Sequence, residues 1–337
     1  MKKINLYYLL VFGLVLIGFT PASAKKEVKI ATIGAVSPYL DTTLTNQQMV
    51  DAMKDFLGSQ IAQVLLDQPD LIVLPEACDR PQGLSTQRQF EYFKVRGNQV
   101  HDYLASIAKE NHCYIAFGMK RKDDAGVWRN SCVMLDRNGE VAGIYDKNFP
   151  TPDELERITA SDKIGLIQTD FGTVGMVICF DLNFGELRER YAKLNPDLMI
   201  YIGMYHGGLD QAQWAYACRS WFVGSVGISN LLSQIRNPFG EVVATSSNHF
   251  NYIVSTVNLD CELAHLDHNK VQFKELKKKY GDKVNIYDPS EVAVVMITSE
   301  ADDISAADMV KEFDIELADH YFNRTRSEIN KQMQQNK

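Results

Sequence analysis

The chain has 337 residues, 45% hydrophobic and 23% charged, with a formal net charge of −8. That is an ordinary globular composition with room for one large domain. Acidity without a basic patch argues against nucleic acid and anionic membrane surfaces as partners. The single basic run, Lys277-Lys278-Lys279, lies beside Glu275 and Asp282 and reads as a solvated helix face.

In chain order, Lys2-Lys3, an apolar run over 4–19 and Ala22-Ser23-Ala24 have the three-part pattern of a secretory signal peptide, residues 1–24, cleaved after Ala24. The expected location is periplasmic or secreted, with no membrane attachment after cleavage. Losing Lys2 and Lys3 takes the formal charge from −8 to about −10. No other segment is apolar enough to cross a bilayer. Residues 26–36 read as a first strand. Met49, Met53, Phe56, Ile61 and Leu65 set a helix over 46–68. Leu71 to Leu74 form a buried strand that Pro75 stops, leaving Glu76 just past its end. A helix over 87–111 and a strand over 113–119 follow. Asp136-Arg137-Asn138-Gly139 joins hairpin strands over 131–135 and 141–145. Residues 147–156, with two prolines, form a loop entered at Lys147.

Strands over 166–171 and 174–180 turn at Gly172, and the second delivers Cys179. Asn183 with Glu186 reads as a capping box opening a helix through Leu187, Tyr191 and Leu194. A thiol in the field of a helix N-terminus is expected to favour the thiolate. A buried structural cysteine is the competing reading. Next come a strand over 198–202, a loop over 203–208, a helix over 211–221, a strand over 226–232, a turn at Asn237-Pro238-Phe239-Gly240 and hairpin strands to Val257. Beyond Asp260 the chain reads as peripheral: a charged helix over 273–280, one apolar strand over 292–297, and a helical tail whose Gln- and Asn-rich end is expected to fray. Helices alternating with both crossovers and hairpins give an α/β class, with mixed sheets and helices outside. Six cysteines (Cys78, Cys113, Cys132, Cys179, Cys218 and Cys261) include no C-x-x-C pair and identify no disulfide.

Glu76, Lys147 and Cys179 each lie immediately after a strand, where α/β proteins gather their sites. Their chemistry fits together: a sulfur nucleophile, a carboxylate that moves protons, and an ammonium for a developing oxyanion, with the Phe180 N–H as a second donor. Singly, each reads as readily as a surface or core residue.

Leu-Pro-Glu76, Tyr-Asp-Lys147 and Ile-Cys179-Phe-Asp, about 70 and then about 30 residues apart, resemble the Glu-Lys-Cys pattern of the nitrilase (carbon-nitrogen hydrolase) superfamily. The likeness runs from about Lys29 to Leu259. It implies a four-layer α-β-β-α sandwich over 25–260, with 261–337 as a C-terminal extension packed on the same domain or a partner subunit. It also implies a homodimer or higher homo-oligomer. Cys179 is expected to attack a nitrile, amide or carbamoyl carbon, with Glu76 as base and acid and Lys147 holding the oxyanion. Glu154 matches a second glutamate that positions Lys147 or water, with Glu156 as a fallback. No metal or organic cofactor is expected. The chain departs from the family pattern at Asn148-Phe149-Pro150 and at Phe184-Gly185-Glu186, which puts the pocket shape in doubt.

Cys179-Phe180-Asp181 resembles the amidase and carbamoylase branch, so hydrolysis of a small amide or N-carbamoyl compound is preferred over nitrile hydrolysis. Tyr205 and His206 are expected in the pocket wall, where His206 either binds substrate or bonds its own loop. A cysteine–histidine hydrolase using His206 or His112 leaves Glu76 and Lys147 without roles. A non-catalytic binding protein on the same scaffold leaves the whole set unused. His265 and His268 resemble a metal pair without further ligands. Mass measurement of the protein exported by its host is expected to find an N-terminus at Lys25; a mature chain that retains residues 1–24 would contradict cleavage.

Overall fold

The computed structural model describes residues 27–335. The expected signal peptide, residues 1–24, therefore lies outside the described residues. The elements are β1 (Glu27–Ile33), α1 (Asn46–Leu65), β2 (Leu71–Val73), α2 (Thr86–Arg96), α3 (Gln99–Asn111), β3 (Tyr114–Lys122), β4 (Trp128–Leu135), β5 (Val141–Asp146), α4 (Pro152–Leu155), β6 (Gly165–Gln168), β7 (Thr173–Ile178), α5 (Gly185–Ala192), β8 (Leu198–Gly203), α6 (Gly208–Cys218), β9 (Trp221–Val226), β10 (Gln234–Arg236), β11 (Val242–Thr245) and β12 (Tyr252–Asn258). They are followed by β13 (Cys261–His265), α7 (Lys270–Tyr280), β14 (Val284–Tyr287), β15 (Val294–Ser299), α8 (Ala306–Glu312) and α9 (Ala318–Gln335).

Two six-stranded sheets carry the fold, in the orders β12-β1-β2-β3-β4-β5 and β11-β10-β9-β8-β7-β6. Side chains alternate across each strand, and here both faces are covered. Leu71 and Val73 enter the core between the sheets, while Ile72 and Leu74 enter the core beneath α1–α3. In β8, Leu198, Ile200 and Ile202 face the other sheet, and Met199 and Tyr201 face α5 and α6. Burial on both faces explains why these strands read as unbroken apolar runs. The result is the α-β-β-α sandwich implied by the resemblance.

Topology gathers the strand ends. β1, β2 and β3 are parallel, and so are β7, β8 and β9. Two antiparallel steps, β3–β4 and β4–β5, return β5 to the direction of β3. The Ser225 hydroxyl donates to Ile33 O at 2.9 Å, which puts the C-terminal ends of β9 and β1 together. The residues after β2, β5 and β7 therefore meet at one end of the sandwich.

Several boundaries differ from the expected ones. The helix over 87–111 is two helices, broken at Gly97 (φ +46°) and Asn98, because a left-handed residue ends α2. The strand expected over 226–232 lies earlier, as β9, and the helix before it starts at Gly208. β12 does not extend the hairpin; it crosses to pair with β1 in the other sheet. The single apolar strand expected beyond Asp260 is the centre of a three-stranded sheet, β13-β15-β14, with α7–α9 around it. This extension packs on its own chain. Tyr287 donates to both Glu241 oxygens at 2.9 Å, and Arg219 pairs with Asp319 at 3.0 Å. α9 carries the Gln-rich tail as helix through Gln335. All six cysteines are free thiols. Among the described residues no helix is long and apolar enough to cross a membrane.

One close approach shapes the gathered end. A Cβ on Gly118 of β3 would lie 2.6 Å from Glu76 Cα and 2.8 Å from Ala77 N, backbone that cannot swing aside. Gly118→Ala is expected to cost about 1–3 kcal/mol and lower the melting temperature; an unchanged melting temperature would show that the turn is not held against β3.

Candidate active site

Glu76 sits on a turn braced from behind. The backbone reverses with Ala77 at φ +52°. Buried Asp79 pairs with Arg96 of α2, and the Tyr92 hydroxyl donates to Asp79 O at 2.7 Å. Arg96 also donates to Lys120 O at 2.8 Å, which ties the turn to β3. The Glu76 side chain is 6% exposed.

Lys147 follows β5, and its backbone N–H donates to Asn130 O at 2.8 Å. Its side chain, 1% exposed, points inward. Nζ donates to Glu76 Oε1 at 3.1 Å and to Glu154 Oε2 at 2.8 Å. Glu154 is presented by a capping box at α4: Thr151 Oγ1 accepts from Glu154 N, and Thr151 N donates to Glu154 Oε2 at 3.1 Å. Glu156, the fallback, is exposed and pairs with Arg157. Asn130 completes the cluster, its Nδ2 donating at 2.8 Å to both Glu76 Oε1 and Glu154 Oε1. Lys120 Nζ lies 3.4 Å from Glu154 Oε1.

Two carboxylates thus face two ammoniums in a nearly dry site. For Glu154, burial favours the neutral acid, but Lys147 and Lys120 outweigh it and bring the carboxyl down to about 2. For Lys147, burial favours proton loss, but Glu76, Cys179 and Glu154 hold its pKa above the ordinary lysine value. The cluster keeps Lys147 an ammonium and Glu154 a carboxylate at neutral pH.

Cys179 follows β7 at φ +49°, in the left-handed region, as the first residue of a 3-10 turn (Cys179–Asn183). It is half-buried. Burial first, and the Glu76 charge second, push the thiol up to about 12, and Lys147 offsets this only in part. The expected thiolate is therefore corrected: the resting group is a thiol. The helix field invoked for it is missing, because α5 begins only at Gly185. Asn183 is not its cap; Phe184 holds that position without a side-chain cap, and Glu186 is exposed. A five-residue 3-10 turn supplies little of a long helix's dipole.

Asp181 is fully buried, and burial, opposed by its hydrogen bonds, raises its pKa to about 6. Its carboxylate accepts from Ile178 N at 2.9 Å, the Tyr145 hydroxyl at 2.8 Å and Phe149 N at 2.8 Å. It clamps the Cys179 turn to the strand end that bears Lys147. The residue that marked the branch is thus spent on holding the two loops together.

The expected pocket residues lie around this end. Phe180 packs edge-on against Phe184 at 5.3 Å, and Phe184 stacks on Phe149 at 3.7 Å. The two departures from the family pattern thus touch one another. The Tyr205 hydroxyl accepts from Asn183 Nδ2 at 3.2 Å. His206 is half-buried; burial and then Arg236 lower its pKa, which keeps the ring neutral. Its backbone carbonyl accepts from Gln211 Nε2 of α6, a bond that leaves the imidazole out. His112 ends α3 just before β3 begins, at the opposite end of the strands from Cys179. His265 is buried and stacked on Tyr321 at 3.8 Å, which accounts for it structurally. Among the described residues no group of ligands could hold a metal. Sequence reasoning missed Asn130 and Lys120. They face each other across β3 and β4, a register that only the folded sheet reveals.

Comparison with known proteins adds relatives. Residues 29–264 match the carbon-nitrogen hydrolase family. The chain is 24% identical over 216 residues to nitrilase homolog 2 of Dictyostelium discoideum, covering 56% of this chain and 65%, less than two thirds, of that protein. It is 25% identical over 213 residues to the human omega-amidase NIT2, covering 56% of this chain and 76% of that protein. Among solved structures, Nit3 of Saccharomyces cerevisiae, a member of branch 10 of the nitrilase superfamily, superposes with a TM-score of 0.59 at 18% identity. That match covers 71% of this chain and 92% of Nit3. An amidase from Nesterenkonia sp. gives a TM-score of 0.59 at 15% identity, covering 78% of this chain and 99% of that one. With its family match spanning most of its length and its sandwich shared with these structures, the chain belongs to the carbon-nitrogen hydrolase family.

Proposed function

We propose that the protein hydrolyses the carbon–nitrogen bond of a small amide or N-carbamoyl compound through a thioester on Cys179. The observation that carries the reading is the buried set in which Glu76 and Lys147 touch one another beside the Cys179 thiol. Relatives named omega-amidase and amidase support an amide over a nitrile.

The steps follow from the protonation states. Because the resting group is a thiol, attack needs a base at the moment the bond forms, and Glu76 is beside it. As Sγ bonds the acyl carbon, the thiol proton passes to Glu76. The Lys147 ammonium and the Phe180 N–H, which precedes the first bond of the 3-10 turn, hold the oxyanion. Glu76 returns its proton to the nitrogen, the C–N bond breaks and the amine leaves. Water then attacks the thioester, losing a proton to Glu76. The C–S bond breaks, releasing the acid, and Glu76 returns the proton to sulfur. Glu154 and Asn130 keep Lys147 and Glu76 in place. The protein acts outside the cytoplasm as a homo-oligomer in this reading, with no metal or organic cofactor.

Ammonia release from a panel of small amides, N-carbamoyl amino acids and nitriles tests the reaction. Cys179→Ala is expected to lower turnover by at least about 1000-fold; full activity in that variant would overturn the mechanism. Ammonia with a carboxylic acid indicates an amide or nitrile, and ammonia with carbon dioxide a carbamoyl substrate.

Glu154 also links the site to acid stability. Its carboxyl lies at about 2 when folded against 4.5 as a free side chain. The folded pKa is depressed, so the stabilisation is complete above about 4.5 and is lost as pH falls toward 2. The melting-temperature gap between wild type and Glu154→Gln is expected to shrink across that window; a gap constant with pH would count against an ionised, paired Glu154.

A further inference from the structure

The outer face of the first sheet carries a second cleft. Strand alternation separates it from the catalytic cluster: Lys120 and Asn130 point inward to Glu154, while Met119, Arg121 and Val133 point outward. Helices α1–α3 do not cover all of β4 and β5, so Val141 and Ile144 are 45% and 39% exposed. The gap between these strands and the α2–α3 break encloses about 450 Å³, a size typical of small-molecule sites. Its floor is apolar, made of Phe93, Met119 and Val133, all nearly inaccessible.

The charge around this floor is one-sided. Lys94, Arg96, His101, Arg121 and Lys122 line the cleft and no carboxylate does, in a chain where Asp and Glu outnumber Lys and Arg 43 to 35. Three of the five have partners. Arg96 is held by Asp79, Arg121 by Asp146 at 3.0 and 3.1 Å, and His101 lies 2.9 Å from Asp102. Among the described residues no carboxylate pairs with Lys94 or Lys122; Lys122 lies over the Trp128 ring, 5.7 Å from its centroid. The tethered arginines make rigid walls, so a ligand would pay little ordering cost on entry.

We infer that this cleft binds a small monoanion with an apolar body, an alkyl or aryl carboxylate. The apolar body lies on Trp128, Val141 and Ile144, the lining side chains that keep accessible apolar surface, and the carboxylate meets the Lys94 and Lys122 ammoniums. A cation finds no counter-charge there, and a neutral ligand leaves two ammoniums unused. The inference does not depend on the proposed hydrolysis, and its test uses no turnover.

Calorimetry on the mature protein with 4-phenylbutyrate and its alcohol, 4-phenylbutan-1-ol, tests it. The acid is expected to bind one to one, at least about tenfold tighter than the alcohol, and more weakly as salt rises. It is also expected to change the fluorescence of Trp128, read as the signal lost in Trp128→Phe. Lys94→Glu/Lys122→Glu is expected to weaken the acid by at least about tenfold and leave the alcohol within about twofold. Its unchanged melting temperature would show that the surface substitutions leave the fold intact. Equal binding of acid and alcohol, no binding of the acid, or acid binding that survives the double charge reversal would each overturn the assignment.

Discussion

The site depends on one buried ammonium held between two carboxylates. Lys147 reaches Glu76 and Glu154 from a position 1% exposed, and removing water from such a charge costs several kcal/mol unless partners replace it. The replacement is geometric as well as electrostatic. Asn130 bridges the same two glutamates, so losing any member removes a hydrogen bond from two others in the buried set. That mutual dependence explains the scaffolding behind the site: the Asp79–Arg96 pair, the Thr151 capping box and the Asp181 clamp each fix a loop that delivers one charge.

The same electrostatics decide the state of the nucleophile. A Glu76 charge close enough to serve as base also disfavours a resting thiolate, and burial acts in the same direction. Lys147 opposes both and loses, because its own charge is already engaged by two carboxylates. In the proposed mechanism the site therefore serves proton transfer during attack rather than storage of an anion. A resting thiol is also less exposed to oxidation and stray alkylation than a resting thiolate.

What was legible in the sequence follows from how local each feature is. Strands buried on both faces, such as 71–74 and 174–178, announce themselves as apolar runs, and Glu76 and Cys179 were read from their places just past the ends. Glu154 was legible through its spacing from Lys147. Asn130 and Lys120 were not, because their role depends on the register of β3 against β4. The break at Gly97 was hidden because the apolar periodicity continues through it on either side. Lys94, Arg121 and Lys122 look unremarkable along a chain of net charge −8; only the fold brings them to one cleft. The helix field assigned to Cys179 failed because Asn183 and Glu186 imitate a capping box while the backbone makes a 3-10 turn first.

The central claim is that Glu76 activates a protonated Cys179, and the rate of iodoacetamide capture at Cys179 near neutral pH, in wild type and in Glu76→Gln, tests it most directly. With Glu76 as the base, the variant is expected to react at least about tenfold more slowly. A resting thiolate needs no base, so its capture would be no slower in the variant. Capture as fast as wild type, or faster, would contradict the account.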